Sequence, residues 1–296
     1  MPVKTRTYIT LIGCLAILFC SCVSQRKVTA LKKDLTAVNT QLQQHEATIK
    51  SLDEQRKGKQ DLNEIDDTAS SRFQKFITST NSEIEILISE NTVLVGETVV
   101  SRADWDRLNS SFARSQAASK KINEKVMLLT DLINRNTVIR LDQDLLFEPG
   151  QYTVTTNVSS MIGKFFEPAA KEIDVFVKKY PDFPLSLIIM AKGYADATPI
   201  QEGSTLYKNL LARMTLNPAN PDSKALNKEL SEARAEEVIK LFKKFTIDRS
   251  GNKIGNISYL FEGKGETYPN PKATDYKVND SRRRIVLLFW SVFPDM

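Results

Sequence analysis

Apolar residues near the start of the chain fall at Val28, Leu31, Leu35, Val38, Leu42, Ile49 and Leu52, with His45 in the one missing place. The steps alternate three and four, and the intervening positions are strongly polar. That narrow stripe is a heptad seam. It predicts a coiled coil that associates with further copies through residues 28–55; the alternative is an amphipathic helix folded back on the C-terminal region. About four heptads make a rod of roughly 40 Å at 1.5 Å per residue. From 56 to 71 the period is lost and Lys, Asp and Ser dominate, which reads as a hinge or linker. Residues 84–100 are apolar and β-branched around Gly96 and carry no assignable period. After Ser101, a candidate N-cap, Trp105, Leu108, Phe112, Ile122, Val126, Leu129 and Ile133 return to helical spacing, weakened at Ser115 and Ser119. This second helical region, 71–137, is expected to form a hairpin or to extend the stalk.

Past Thr137 the pattern changes. Residues 138–146 are strand-like and end at the turn Phe147-Glu148-Pro149-Gly150. Ile162, Phe166, Ala169, Ile173 and Phe176 place a helix over 159–179, with Pro168 as an irregularity. Residues 185–190 form an apolar run of strand length, covered on both faces. A helix over 223–245 buries Ala235, Val238, Ile239 and Phe242; Ile257, Tyr259 and Phe261 alternate in a strand over 256–263; and 284–290 is a closing strand. Strands and helices in this order predict an α+β fold, helices on a mixed sheet, with right-handed crossovers between parallel neighbours.

Ahead of the seam, Lys4 and Arg6 precede an uncharged run of about a dozen residues and then Phe19-Cys20-Ser21-Cys22. That is the layout of a secretory leader, and the run is short of the ~20 residues a membrane span needs. The chain's three cysteines, Cys14, Cys20 and Cys22, all lie here. The segment resembles a bacterial lipoprotein signal, which implies cleavage after residue 21 and lipid on Cys22, whose neighbour Ser21 suits the cut better than the Phe19 before Cys20. Val23 follows, so the Asp that holds some such proteins in the inner membrane is missing. The resemblance then implies the outer membrane, periplasmic face. The exported body has no thiol left for a disulfide. The chain has 41 basic and 36 acidic side chains, and removing Lys4 and Arg6 leaves 39 against 36. A net charge of +3 on that basis is too mild to argue for nucleic acid.

Three motifs carry the candidate chemistry: Gly193-Tyr194-Ala195-Asp196, Leu230-Ser231-Glu232-Ala233-Arg234-Ala235 and Asn279-Asp280-Ser281-Arg282-Arg283-Arg284. They offer a carboxylate and a guanidinium where a strand end and a helix meet, a pair able to grip a zwitterion from both ends. With Leu146-Phe147 and Gly150 before them, and Asn227, Gly263-Lys264-Gly265-Glu266 and Pro269 between, they give residues 138–296 the order of the OmpA-like peptidoglycan-binding domain, which this region resembles. The resemblance implies that Asp196 and Arg234 hold diaminopimelate, the diamino acid of Gram-negative stem peptides. It also implies that Asn227 adds hydrogen bonds and that Tyr194 and Ala195 supply wall or backbone contacts. In the Arg282–Arg284 run, one side chain is expected to support the fold while others reach solvent or glycan. Two departures stand out. Ala195 replaces the usual Thr or Ser, and Asp196 and Asn227 are separated by an insertion, residues 197–226, that is long for the family. The insertion could be a lid, a partner surface or an obstruction.

The domain plan is therefore a leader over 1–21, a coiled-coil stalk and linker over 22–70, a second helical region over 71–137 and an OmpA-like head over 138–296. The function expected is a non-enzymatic tether between outer membrane and peptidoglycan, with no cofactor and no metal. His45 is the only histidine, and it sits in the seam as a tolerated polar residue, so neither a zinc site nor a nucleophile–base constellation is evident. The alternative is an adaptor in a multi-protein envelope machine, such as a secretion system, whose head binds protein partners.

Overall fold

A computed structural model describes residues 24–135, 137–214, 221–250 and 256–294. The leader and Cys22 lie outside the described residues, as do residues 215–220 of the insertion. No described helix is long and apolar enough to cross a membrane.

The fold is mixed α and β. Three long helices come first: α1 (Gln25–Asp61), α2 (Asp67–Gly96) and α3 (Arg102–Asn134). Residues 56–71, expected as a linker, are instead the last turns of α1, a tight turn through Asn63 at φ 52°, and the first turn of α2. The Asp66 carboxylate caps α2, accepting from the backbone N–H groups of Thr68 at 2.8 Å and Ala69 at 3.2 Å. The Ser101 expectation holds. Its hydroxyl accepts from Asp104 N–H at 3.1 Å while the Asp104 carboxylate accepts from Ser101 N–H at 3.0 Å, a reciprocal capping box.

The chain divides into two compact units. The described residues up to Asp53, with Lys75–Thr130, form the first. Here the heptad seam is covered from within the chain. Val28, Leu31 and Leu35 pack with Val99 and Leu108, and Leu94, Val95, Trp105 and Phe112 close around them. Leu35 and Leu42 have no exposed surface left in the single chain. Of the side chains expected to pair with further copies, Val28, Leu31 and Leu35 are thus covered within the chain and Leu42, Ile49 and Leu52 are buried in it, whereas Val38 stays half-buried. Asn39 sits in the same interface, taking a 2.8 Å hydrogen bond from Asn91 of α2. Residues 84–100, unreadable by period, belong mostly to α2; Ile84 is fully buried and Leu87 nearly so.

Residues Glu54–Gln74 and those from Asp131 onward form the second unit. Its sheet has the order β1 (Val138–Asp142), β4 (Ile285–Pro294), β2 (Leu185–Gly193), β3 (Asn256–Gly263). β4 runs antiparallel to both neighbours, and β2 and β3 are parallel. The strand expected over 138–146 stops at Asp142. Its carboxylate accepts from Asp144 N–H at 2.9 Å and starts a one-turn helix, α4 (Gln143–Leu146). Helices α5 (Thr156–Lys179) and α7 (Ser223–Ser250) join through Phe166, which meets Phe242 edge-on at 4.8 Å. Arg249 ties the same helices, 3.3 Å from Glu167 and 2.8 Å from Asp174. α5 passes through Pro168 without ending.

Side chains alternate across β2. Gly193 abuts α7, whereas Met190 and Tyr194 pack with Leu287 and Phe289 in a separate cluster. Near that cluster the start of α2 contributes. The Phe73 ring lies 4.9 Å from that of Phe293, tilted by 40°, and Asp67 pairs at 3.0 Å with Lys192, a lysine only 3% exposed. The short helix α6 (Thr205–Arg213) lies in the insertion.

Candidate functional site

The site is built on close packing of α7 against two strand ends. Gly193 and Gly263 are partners in the last register of the parallel pair. A Cβ on Gly193 would lie 1.9 Å from the Ser231 carbonyl oxygen, and one on Gly263 would lie 2.5 Å from that of Lys228. Only glycine permits this approach. The Ser231 hydroxyl then accepts from Gly265 N–H at 2.9 Å, where Gly265 takes φ +55°. These contacts fix how far α7 stands along the sheet, and so where Arg234, three residues beyond Ser231, meets the loop that leaves β2.

That loop is pinned by its backbone. Ala195 N–H donates to the Gly265 carbonyl at 2.7 Å and Ala197 N–H to that of Val278 at 2.8 Å. Asp196 accepts from Thr198 N–H at 3.1 Å through one oxygen and faces Arg284 at 2.7 Å through the other. Arg284 also makes a forked pair with Asp144, with Nε 2.8 Å from Oδ1.

A cavity of about 600 Å³ opens here, with Asp196, Arg234, Asn227 and Ala195 on its wall. Asp144 and Arg284 join them. Tyr194 does not. Strand alternation sends its ring into the cluster of Met190, Leu287 and Phe289, where burial pushes its hydroxyl far above the ordinary phenol range. Its contribution is the carbonyl, which accepts from the Gln143 side-chain amide at 2.7 Å.

Arg234 is the unusual group. It is 7% exposed, and among the described residues no carboxylate lies within ion-pair distance of it. Its Nε and Nη2 donate to the Gln151 carbonyl at 3.1 Å each, Nη1 donates to the Gln143 side-chain oxygen, and the Phe147 ring lies 5.2 Å from the guanidinium centre. A guanidinium has five N–H groups. One on each terminal nitrogen therefore has no protein partner among the described residues. Burial pushes its pKa down to about 10, still charged at neutral pH. Arg284 is the opposite case: the hydrogen bonds it donates to Asp144 first, then to Asp196, hold its pKa above the usual range. The same Arg284 hydrogen bonds hold Asp144 below the usual carboxylate range.

Asn227 is 2% exposed; its amide nitrogen donates to the Thr198 carbonyl at 3.2 Å and to Glu266 at 2.9 Å, so much of its capacity holds the loops. The described part of the insertion does not fill the cavity. It forms a wall, with Pro199, Ile200, Ser204 and Leu206 lining it. α6 is stapled to α7 by Arg213, 2.9 Å from both Glu229 and Glu236, and by Leu210, buried against Leu226 and Leu230.

The arginine run divides three ways. Arg283 is buried and donates to the carbonyls of Glu266 and Lys277, supporting the fold through backbone rather than through an acid. Arg282 is exposed, beside Asp275 and Asp280, and Arg284 faces the cavity. The sequence reading missed Asp144, Gln143 and the specific role of Arg284. The available signal was three polar residues, Asp142-Gln143-Asp144, breaking an otherwise apolar strand pattern.

No protein-family model and no curated protein sequence matches the chain. What the geometry offers is two cations and two carboxylates on one cavity wall, with the more buried cation lacking an acid. That set suits a ligand carrying both an ammonium and a carboxylate.

Proposed function

We propose that this chain is a lipid-anchored, non-enzymatic envelope protein whose head, an OmpA-like domain, binds the diaminopimelate of peptidoglycan stem peptides and so tethers the outer membrane to the wall. The observation that carries the reading is Arg234. Desolvating a guanidinium costs several kcal/mol unless a counter-charge or a full set of hydrogen bonds compensates, roughly. The chain supplies it three acceptor contacts and no acid, and leaves donors on a cavity wall. A carboxylate from a ligand completes the arrangement. The ammonium on the same carbon is drawn to Asp196 and Asp144, which share Arg284 between them. A lysine-type stem peptide lacks that carboxylate and would leave the buried cation without an acid, a mismatch that polar sites reject strongly.

The test uses the full chain, because Asp67 and Phe73, which lie outside residues 138–296, contact strands of the head. Full chain mixed with diaminopimelate-type peptidoglycan is expected to co-sediment, and Arg234→Ala and Asp196→Ala to remain in the supernatant while keeping the wild-type circular dichroism. Lysine-type peptidoglycan is expected to retain little of any of them. Equal sedimentation of wild type and both variants would overturn the assignment.

A further inference from the structure

The cavity is larger than one amino-acid head group requires; sites of about 300–1,000 Å³ enclose ligands of drug size. Its two sides differ in chemistry. One carries Arg234, Asp196, Asp144 and Arg284; the insertion adds Pro199, Ile200 and Leu206, an apolar surface set beside Thr198, Gln201 and Ser204. This apolar surface is held in place. Ile200, Leu206 and Tyr207 pack on the buried cluster of Leu210, Leu226 and Leu230, and Arg213 clamps the end of α6 to α7 with two carboxylates. The Ser204 hydroxyl caps α6, accepting from Tyr207 N–H at 3.1 Å, which fixes the entry of the segment that carries Leu206. A free zwitterion has no group to place against such a surface.

We infer that the insertion forms a second subsite that reads the residue next to the zwitterion, and that it takes a small apolar side chain of the alanine class, so the ligand is recognised as a peptide rather than as a free diamino acid. The inference rests on the peptide-binding reading above and adds a specificity determinant, Ile200, to it. Ile200 sits in a loop, half-buried, and touches no group of the charged wall in a hydrogen bond. Its substitution therefore leaves the wiring of Arg234 and Asp196 in place.

The experiment is calorimetric titration of the full chain with two synthetic tripeptides, γ-D-glutamyl-diaminopimelyl-D-alanine and the same peptide ending in glycine. They share every charge and differ by one methyl. An apolar pocket discriminates a single methylene-sized group by about ten-fold or more. Wild type is expected to bind the alanine peptide about ten-fold more tightly. Ile200→Ser is expected to bring the ratio near one while holding the glycine peptide at its wild-type affinity, and Ile200→Val to keep most of the preference. Both peptides should lose binding with Arg234→Ala. A wild-type ratio near one, or a ratio unchanged by Ile200→Ser, overturns the subsite while leaving the zwitterion reading intact. If neither peptide binds wild type, both readings fall together.

Discussion

The two units differ in the charge of the polar groups they bury. In the helical unit the buried polar residues are small and neutral: Asn91, Thr80, Ser115 and Ser119, with His45 half-buried among them. In the second unit neutral groups such as Gln143, Asn227 and Ser231 are joined by charged ones: Lys192, Asp196, Arg234, Arg283, Asp66 and Arg56 are all 7% exposed or less. Neutral polar residues in a helical interface fix register at modest cost, while buried charges are expensive unless each is paired. Lys192 and Asp196 have ion-pair partners, while Asp66 and Arg283 are held by backbone groups; Arg234 also lacks an acid, and it alone of these three lines the cavity. A fold that only needed stability would gain nothing from it. The helical unit buries only neutral polar groups among its described residues, and the sheet unit keeps a buried cation on a cavity wall.

The largest effect expected is at the seat of α7. Gly193→Ala puts a methyl 1.9 Å from a helix carbonyl, with Ala235 Cβ also within 3.3 Å. Backbone on one side and strand on the other leave nothing flexible to yield. A loss of more than about 4 kcal/mol is expected, in the range reserved for overpacking and strain. Urea denaturation followed by tryptophan fluorescence would show the sheet unit unfolding early, since Trp290 lies in β4 and Trp105 reports the helical unit. A variant with the wild-type midpoint for Trp290 would mean that α7 is free to slide, and the argument for how Arg234 is positioned would fail.

A smaller effect is expected in the seam. Leu42 is fully buried in the single chain, and Leu42→Ala should cost about 2–5 kcal/mol. The more telling readout is concentration. A seam shared between copies makes the melting temperature rise with protein concentration, whereas a seam covered by α2 and α3 does not. The wild-type melting temperature is therefore expected to stay constant from micromolar to hundred-micromolar protein. A rise across that range would restore the intermolecular coiled coil and remove the contrast drawn here.

The seam also shows where sequence reading stops. The period identified which residues of α1 are buried, yet the same period serves a partner from another copy or from the same chain. What decided it was residues 84–100, whose β-branched side chains and Gly96 blur a helical stripe that ends in Ile84 and Leu87 being buried. In the head, Asp196, Arg234, Asn227 and Ala195 were named from the motif resemblance, and the four line one cavity. Tyr194 was expected to give wall or backbone contacts; strand alternation turns its ring away from the cavity, since the residue after Gly193 must face the other way, and leaves the backbone contact. Asp144 and Gln143 were hidden inside what looked like a strand, because the polar run Asp142-Gln143-Asp144 reads as part of it and not as the cap and first turn of a helix. The pairing of Arg284 rather than Arg283 with Asp196 depends on where β4 begins, and three consecutive arginines carry no mark of it.

The smallest effect expected concerns His45, and it sharpens the claim that the helical unit buries only neutral groups. Its Nε2 is buried without a hydrogen-bond partner, and burial lowers its pKa below the ordinary 6.5. A lowered folded-state value means that the unfolded chain binds its proton first as pH falls. Any stability tied to the neutral ring is therefore fully present above pH 6.5 and declines as pH drops through and below that value. The melting temperature of wild type should fall slightly between pH 7.5 and 5.5. His45→Leu places an apolar residue at the gap in the seam, and should flatten that decline while raising the melting temperature at pH 5.5 more than at pH 7.5. The carboxylates tied to arginines, such as Asp144, stay ionised across this window because their values are shifted down, so they contribute little to the difference. An identical pH slope in wild type and His45→Leu would mean that the seam tolerates a charged imidazole, and that its lack of buried charge is accidental rather than built in.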